Sequence, residues 1–437
     1  MIPFTRTLAG SALLLSLAPT LAVASGFFAD GQTQLQYRQY YWNEDPDGGV
    51  GPTRDEWVEA LLLDYRSGYY RDTLGLDLGY AAADALHVGD EADNISNLSA
   101  DGDVQDPDPI AKPITAYLKL RFGDDGNRLH MGWGKKVRDY HLYADNTTRI
   151  LPAASIGYDI AYDYRDLELY AARIEHFSRR DESGWGGDLH TIDGQTIDSV
   201  DLAGLSYVLP GEARLDAEYL TAHDYLDESF LGLSRDFSLP GDSTLAVGLK
   251  YGAQRDGGNL FETRAVPGRY PAEASHDARY TELAATWRRH GGYLGLAYNK
   301  VSGDNYDRLL FAGDYGSWDS AANNFYWFGL QGEAMWKLSA GLDLATLGLD
   351  GLRWDGHYAA SSSADGYRDF SRREFLSLLK YRFSGPLDGL SLAWLHVDFK
   401  TRGQPAADGG KALSYAPPAG FITHDADRLY LTYSYNF

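Results

Sequence analysis

Lysine and arginine recur on segments of this chain in which apolar and polar residues alternate. A period of two predicts a β-strand with one apolar and one polar face, and a row of cations on the polar face can bind and guide anionic groups. The same placement is expected on the wetted side of any barrel, and Glu282, Asp343 and Asp355 share it. The candidate cations for such a row are Arg38, Lys119, Arg121, Lys250, Lys337, Arg353, Lys380 and Arg382.

The final segment, Asp427 to Phe437, has the clearest strand pattern. Leucine, tyrosine and phenylalanine occupy every odd position from Leu429 to Phe437, opposite a face that carries Tyr430, Thr432, Ser434 and Asn436. About ten residues are enough for a tilted strand to cross a bilayer. The alternative is an edge strand of a soluble sheet, but soluble proteins usually blunt such an edge. We therefore expect the closing strand of an outer-membrane barrel.

The same alternation predicts about eighteen strands, and the connections between them sort by length. Short turns such as Pro210-Gly211 alternate with long connections such as 137–154, apart from shorter ones near 224–227 and 362–370. This sorting is typical of transmembrane barrels, in which the short turns lie on the periplasmic side together with both termini. The predicted fold class is all-β, a transmembrane antiparallel β-barrel. The candidate strands are 33–43, 56–66, 72–83, 112–123, 128–136, 155–164, 167–177, 199–209, 213–223, 228–239, 243–254, 278–289, 293–301, 333–346, 351–361, 371–383, 387–399 and 427–437.

Two local details refine this pattern. The alternation in 387–399 is ambiguous around Trp394, which suggests a bulge there. Aromatic residues cluster near strand ends, as at Tyr40, Tyr41, Trp42 and Trp57. Such clusters are typical of the girdles that barrels place at the two membrane interfaces.

Composition excludes several classes of protein. The chain has 437 residues, a formal charge of −23 and no cysteine. No run of eighteen apolar residues follows the N-terminal region, which argues against helical membrane spans, and the acidic balance argues against a nucleic-acid partner. Arg6, the apolar run from Leu8 to Leu17 and Ala22-Val23-Ala24 indicate a signal peptide over residues 1–24. The barrel domain is then 25–437, exported to the outer membrane of a Gram-negative bacterium.

Motifs for catalysis or metal binding are not evident. The acidic stretch from Asp84 to Pro109 lacks the ligand spacing of a calcium loop, and the histidines lack paired zinc-ligand spacing. The sequence contains neither a Gly-x-Ser-x-Gly elbow nor a phosphate-binding loop. We expect no enzyme activity, no metal and no cofactor.

Several stretches, in order along the chain, resemble the OprD family of substrate-specific outer-membrane porins. They are Tyr37 to Asn43, Tyr65 to Tyr69, Met131 to Gly134, Asn146 to Pro152 and Tyr298 to Asp304. The resemblance implies an eighteen-stranded barrel whose inward-folded loops form a narrow constriction. It also implies that a ladder of basic residues guides a substrate carboxylate. By the same resemblance Arg149 would lie on the constriction loop, and Asp304 and Asp307 are candidates for an acidic side.

The leading hypothesis is a channel for passive, selective diffusion of small carboxylates or amino acids. A channel for sugars such as chito-oligosaccharides is an alternative, in which the lumen aromatics Tyr117 and Tyr430 would matter more than the charges. A barrel enzyme is a further alternative without a supporting motif. The expected partners are small solutes, outer-membrane lipid and lipopolysaccharide, and the expected assembly is a monomer or a loose trimer.

Overall fold

Eighteen long strands of this chain form one closed antiparallel barrel, as the sequence predicts. The computed structural model describes residues 26–47, 53–100, 102–191, 194–261, 275–306, 320–405 and 423–437. The predicted signal peptide and Asp307 lie outside these ranges. The barrel strands are β1 (Gln32–Asp47), β2 (Arg54–Arg66), β3 (Leu74–Val88), β4 (Ile110–Asp124), β5 (Asn127–Lys136), β6 (Ala154–Tyr164), β7 (Leu167–Ser178), β10 (Val200–Val208), β11 (Ala213–Ala222), β12 (Leu226–Leu239), β13 (Ser243–Asp256), β14 (Asp277–Arg289), β15 (Gly292–Gly303), β16 (Ala334–Asp343), β17 (Leu352–Ser361), β18 (Tyr367–Arg382), β19 (Leu390–Pro405) and β20 (Thr423–Asn436).

Three short 3-10 helices and two short strands complete the described elements. The strands β8 (Gly187–His190) and β9 (Thr196–Ile197) pair with each other, and β8 also pairs with the end of β7. Neither is predicted from the sequence, because four and two residues are too few to establish a period of two. The helices span Asn259–Phe261, Leu344–Leu347 and Gly385–Leu387. No helix in the described parts of the chain is long and apolar enough to cross a membrane.

The barrel closes where the first strand meets the last. β1 and β20 pair in unbroken register from Gln34 opposite Asn436 to Asp47 opposite Thr423. The N–H of Phe437 donates to the carbonyl oxygen of Thr33 at 2.9 Å and extends the pairing at that end. Closure leaves the barrel no edge strand, which a sheet surrounded by lipid requires.

Large apolar side chains cover the outside of the barrel, as the alternation predicts. Leu118, Phe122 and Trp336 are among them, with exposed fractions of 39%, 46% and 56%. A Lys or Arg on this face would cost about 2–4 kcal/mol at the bilayer midplane. The odd residues of β20 from Leu429 to Tyr435 lie on the same outer surface.

Two details of the sequence prediction are wrong. The register between β18 and β19 is continuous at Trp394, and the irregularity lies instead between Arg368 and Ser371. The alternation is obscured there because Val397 and Phe399 face inward and are buried under an inward-folded loop. Tyr40 and Trp42, expected in an interface girdle, face the lumen, since they alternate with the outward-facing Tyr41, and Trp42 is fully buried.

The buried apolar residues lie inside the barrel, between its wall and the long connections that fold inward. One cluster joins Tyr143 and Trp327 of two such connections to wall residues from β7 to β20. A second joins Leu98 and Ile150 to the inner faces of β2, β3 and β4. The lumen is thus partly filled by packed loops, which narrow the open space inside the barrel.

Candidate functional site

Three long connections fold into the lumen and narrow it. They are 89–109 after β3, 137–153 after β5, and the described part 320–333 of the connection after β15. Leu151 and Trp327 on these loops are fully buried against the wall. Because their side chains pack outward onto the barrel, the opposite surfaces of the loops border the remaining passage.

Buried glutamates on the wall hold these loops in place by accepting hydrogen bonds from backbone N–H groups of the loops. Glu374 of β18 accepts the N–H groups of Phe325 and Tyr326 at 3.0 and 2.8 Å. Glu218 of β11 accepts the N–H of Leu142 at 2.7 Å. Glu56 of β2 accepts N–H groups of the first loop in the same way, at Ser96 and Asn97, and Glu282 of β14 accepts that of Ala321.

Each of these carboxylates is at most 4% exposed. A buried carboxylate is stable only when it is well paired, and hydrogen bonds to a charged group contribute roughly 1.5–3 kcal/mol. Glu282 therefore acts as a loop anchor, in addition to lying 3.9 Å from Lys250. These four glutamates are called the wall anchors below.

Arginine side chains gather where the second loop approaches β1 and β20. The guanidinium groups of Arg149 and Arg428 lie over the Trp42 ring, at 4.6 and 3.5 Å from its centroid. Such cation–π contacts are strongest when the cation is desolvated. Glu44 then accepts Arg428 Nε at 2.6 Å and lies 2.7 Å from Arg54 Nη1.

Arg149 has no carboxylate oxygen within 4.0 Å among the described residues, whereas Arg54 and Arg428 both pair with Glu44. Its Nε is buried without a hydrogen-bond partner in the described structure. Burial, together with the nearby cations Arg180, Arg428 and Arg54, lowers the pKa of Arg149 to about 9. The group therefore stays charged at neutral pH, although it is poorly solvated, and an incoming anion would relieve both conditions. Arg54, Arg149, Arg180 and Arg428 are called the arginine cluster below.

From the cluster toward the short-turn end of the barrel, further cations lie on the inner wall formed by β1, β20, β19 and β18. The register places Arg428 opposite Trp42, and the next inward row contains Tyr40, Tyr430, Ala393 and Lys380. The row after that contains Arg38, Thr432, Ser391 and Arg382. Successive inward rows are about 6.6 Å apart along the strands. The small residues Ala393, Thr432 and Ser391 lie between these cations along the rows, and Arg38 Nη1 also donates to the carbonyl oxygen of Ile150 on the second loop at 3.0 Å.

Most of the other predicted cations line the lumen beside carboxylates. Lys119 lies 2.5 Å from Asp77, and Arg353 makes two bonds to Asp355 at 2.7 and 2.8 Å. Arg121 is paired with Asp72 in a turn at the periplasmic end. Lys337 also faces the lumen, opposite Ala297 and Ala359.

Carboxylates also lie on the opposite side of the lumen. Asp159 of β6 receives hydrogen bonds from Lys136 Nζ at 2.9 Å, from Arg138 at 3.1 Å, and from the Tyr117 hydroxyl. Asp304, an expected acidic residue, instead accepts the backbone N–H of Asp277 at 2.9 Å where β14 begins. Its oxygen thereby closes a strand junction. Nothing in the described residues forms a group of three or more His, Cys, Asp or Glu that could hold a metal ion.

Sequence reasoning missed most of the arginine cluster. Arg428 could have been found, because it shares the inner face of β20 with Tyr430 and Thr432. Glu44 shares the face of Arg38 in the same way. Arg180 lies in an irregular connection, where it donates to Thr148 Oγ1 at 2.9 Å, and no periodic signal could have placed it.

Comparison with known proteins agrees with this architecture. The family model described as outer membrane porin, OprD family, matches residues 25–412. The chain belongs to the OprD family. Porin D of Pseudomonas aeruginosa is 25% identical over 358 residues, which cover 79% of this chain and 76% of that protein. The porin-like protein GalP of Pseudomonas putida is 23% identical over 404 residues, covering 90% and 92%.

Solved structures of two Pseudomonas aeruginosa proteins share the fold. The structure of Pseudomonas aeruginosa OccK9 (OpdG) gives a TM-score of 0.78 at 23% identity, covering 94% of this chain and all of that one. OpdK of the same species, solved with vanillate, gives 0.76 at 22% identity with the same coverage. This OprD-family member is therefore a Gram-negative outer-membrane porin, a channel for small solutes. Its relatives are channels and not enzymes.

Proposed function

We propose that this porin selects small solutes that carry a carboxylate, amino acids included, and guides them along the basic inner wall. The observation that carries the proposal is the placement of Arg38, Lys380 and Arg382 on that wall. Among the residues that the structure describes, none of these three cations has a carboxylate oxygen within 4.0 Å. Their charges are not balanced by a carboxylate, although Arg38 also donates to the Ile150 carbonyl oxygen and to Gln36, whereas the charges of Lys119 and Arg353 are largely balanced.

The cations are spaced so that an anion can pass from one to the next. A carboxylate at Arg149 and Arg428 would move one row to Lys380 and a further row to Arg38 and Arg382. Each row is a step of about 6.6 Å. Conduction needs several weak sites in series, because one tight site would hold the solute. The arginine cluster is the entry of this path and Arg38 with Arg382 its exit.

Two features favour carboxylates over other anions. Arginine binds carboxylate by two parallel N–H···O bonds, which a single lysine cannot reproduce. The aromatic pair Tyr40 and Tyr430, with ring centroids 4.7 Å apart, borders the same path and offers a surface for an apolar substituent. The related OpdK structure holds vanillate, an aromatic carboxylate.

Solute uptake into liposomes tests the proposal directly. Swelling rates are measured with carboxylates, amino acids and neutral sugars of matched size, for the wild type and for Arg149→Ala and Arg382→Ala. We expect both variants to lose preference for the carboxylates while sugar rates rise or stay unchanged. Arg173→Ala, on the outer face of β7, is the matched control. Unchanged solute preference in both lumen variants would contradict the proposal.

A sugar channel is the second candidate, supported by the same tyrosine pair. Aromatic rings on a pore wall can contact the apolar faces of sugar rings. In that case Tyr430→Ala would slow sugar uptake and Arg382→Ala would not change the order of preferred solutes. The swelling panel therefore distinguishes the two candidates.

A further inference from the structure

The indole ring of Trp42 contacts two of the four guanidinium groups in the arginine cluster. The Cζ atom of Arg428 lies 3.5 Å from the ring centroid, and that of Arg149 lies 4.6 Å from it. Both distances are within the range of cation–π attraction, and because they end at the same centroid, the two Cζ atoms are at most about 8 Å apart. A neutral ring thus holds a cation of the wall and a cation of the second loop close together, although their charges repel each other.

Trp42 occupies a fixed position on the barrel wall. In the register of β1 with its neighbours, it lies opposite Arg428 of β20 on one side and opposite Glu56 of β2 on the other. Its side chain faces the lumen and is fully buried. Adjacent strands are about 4.7–4.9 Å apart, so the backbone positions of Arg428 and Glu56 are roughly 10 Å apart with Trp42 between them. The ring therefore separates a cation of the wall from a carboxylate of the wall.

Arg149 depends on this ring more than Arg428 does. Arg428 also donates from Nε to Glu44 at 2.6 Å. Among the described residues, Arg149 Nε has no hydrogen-bond partner, and no carboxylate oxygen lies within 4.0 Å of the group. The contact with Trp42 is therefore the interaction that fixes the guanidinium group of Arg149. Without the ring this group would be free to move toward Glu56, a carboxylate close enough to act on its charge.

The contact with the ring leaves Arg149 able to bind a solute. An arginine that lies over an aromatic ring keeps the N–H groups at its edge, and two of them can bind one carboxylate in parallel. Arg428, at most about 8 Å away, adds a second positive charge that attracts the same carboxylate. Displacement of Arg149 toward Glu56 would remove both effects, because the two opposite charges would then balance each other.

We propose that Trp42 is a positioning residue that determines how strongly the channel prefers carboxylates, because its ring holds the Arg149 guanidinium group beside Arg428. This inference rests on the proposed function, in which carboxylates pass these two arginines. Trp42 carries no charge and acts through Arg149. Loss of the ring should therefore have the same effect on solute preference as loss of the cation that it holds.

A double-mutant cycle on solute uptake tests this inference. Liposome swelling rates are measured with gluconate and with sorbitol, which differ by a terminal carboxylate, for the wild type, Trp42→Leu, Arg149→Ala and the double variant. A unit charge roughly 7 Å away changes the partition of an anion about threefold in water, so Arg149→Ala should lower the ratio of the gluconate rate to the sorbitol rate about threefold. Trp42→Leu should lower this ratio by a similar factor, and the double variant should lower it by no more than about threefold in total.

Two further variants separate the role of the ring from that of packing. Trp42→Phe restores an aromatic ring at a size close to that of leucine, and it should recover at least half of the lost preference. Trp57→Leu is the matched control, because Trp57 makes the same change on the outward face of β2, where it is 42% exposed. Its ratio should equal that of the wild type.

Independent action of the two residues would lower the ratio about ninefold in the double variant, and that result would overturn the inference. A wild-type ratio in Trp42→Leu would also overturn it, as would a ratio in Trp42→Phe as low as in Trp42→Leu. An equal change of both rates in Trp42→Leu would show an effect on pore width alone and would count against it too. Failure of the proposed function is distinguishable, because Arg149→Ala and Arg428→Ala would then both keep the wild-type ratio. If Trp42→Leu fails to fold, the cycle is measured with Trp42→Phe, whose smaller decrease should again be absent when Arg149 is already alanine.

Discussion

Replacing Arg428 with glutamine should reduce the anion preference of the channel in a predictable step. Arg428 contacts Trp42 and Glu44, and in the proposed function it is one of the cations along the solute path. Four guanidinium groups and the carboxylates Glu44 and Glu56 meet at this level, which leaves a local net charge of about +2. Arg428→Gln lowers this charge by one, Arg149→Gln does the same, and Glu44→Gln raises it by one.

The size of the step follows from Coulomb's law. A unit charge roughly 7 Å from a permeating ion contributes about 0.6 kcal/mol at the dielectric constant of water. Because the charge acts on chloride and potassium with opposite signs, the ratio of chloride to potassium permeability changes by about sevenfold for each charge. A lower effective dielectric constant beside packed loops would enlarge the step. Screening is modest at 0.1 M salt, because the Debye length is then about 10 Å.

Reversal potentials across a planar bilayer with a KCl gradient measure this ratio. We expect the ratio to fall in the order Glu44→Gln, wild type, then the two arginine variants together. Arg173→Gln, on the outer surface, should match the wild type. An unchanged ratio in both arginine variants, or a lower ratio in Glu44→Gln, would refute the assignment of the arginine cluster to the solute path. Equal ratios for the two arginine variants would also indicate that both side chains border one passage.

Three further predictions concern the inward loops and the wall. Glu374→Ala should raise single-channel conductance, because the loop that carries Phe325 and Tyr326 would be held less firmly inside the lumen. Its two buried N–H groups lose their acceptor, at a cost of roughly 1–3 kcal/mol each. Asp163→Ala, a wall carboxylate near His130, should leave conductance unchanged. Gly132→Ala should alter conductance by displacing the Tyr117 hydroxyl, which lies within 1.7 Å of the added Cβ, whereas an unchanged conductance would mean that Tyr117 does not border the passage. Burial raises the pKa of Asp145 to about 6, above the value of about 3.9 in the unfolded chain. The protonated side chain therefore contributes its full stabilisation of the fold below about pH 4. This contribution is lost as the pH rises through about 6. When the porin is unfolded by urea in micelles, the Asp145→Asn variant should not show this loss of about 3 kcal/mol in the free energy of unfolding. Parallel pH profiles of that free energy for the variant and the wild type would contradict the assignment.

The sequence was sufficient for the barrel because lipid on one side and water on the other impose the same alternation on every strand. Ranges such as 167–177 and 213–223 agree with β7 and β11 to within about one residue at each end. The limits of the pattern appear where loops cover the inner wall. Val397 and Phe399 are apolar on the inner face because a loop lies on them, so the two-sided contrast is lost at β19.

The candidate site was harder to predict, because whether a charge is balanced depends on side chains that are distant in the sequence. Lys119 and Lys380 both alternate correctly and both face the lumen, yet only Lys119 has a carboxylate partner close by. That difference depends on which strands are neighbours. Glu374 appears in the sequence as one more wetted charge, and only the structure gives its role as a wall anchor.

The wall anchors have a consequence for engineering this porin. Each holds its loop by main-chain N–H groups, which every residue except proline supplies with the same geometry. Residues of the segment from Phe325 to Phe328 that point away from the wall can therefore be substituted without changing the position of the loop. The barrel is therefore a scaffold on which the inward loops can be exchanged. Grafting loop sequences between such channels should transfer solute selectivity while the barrel stays intact.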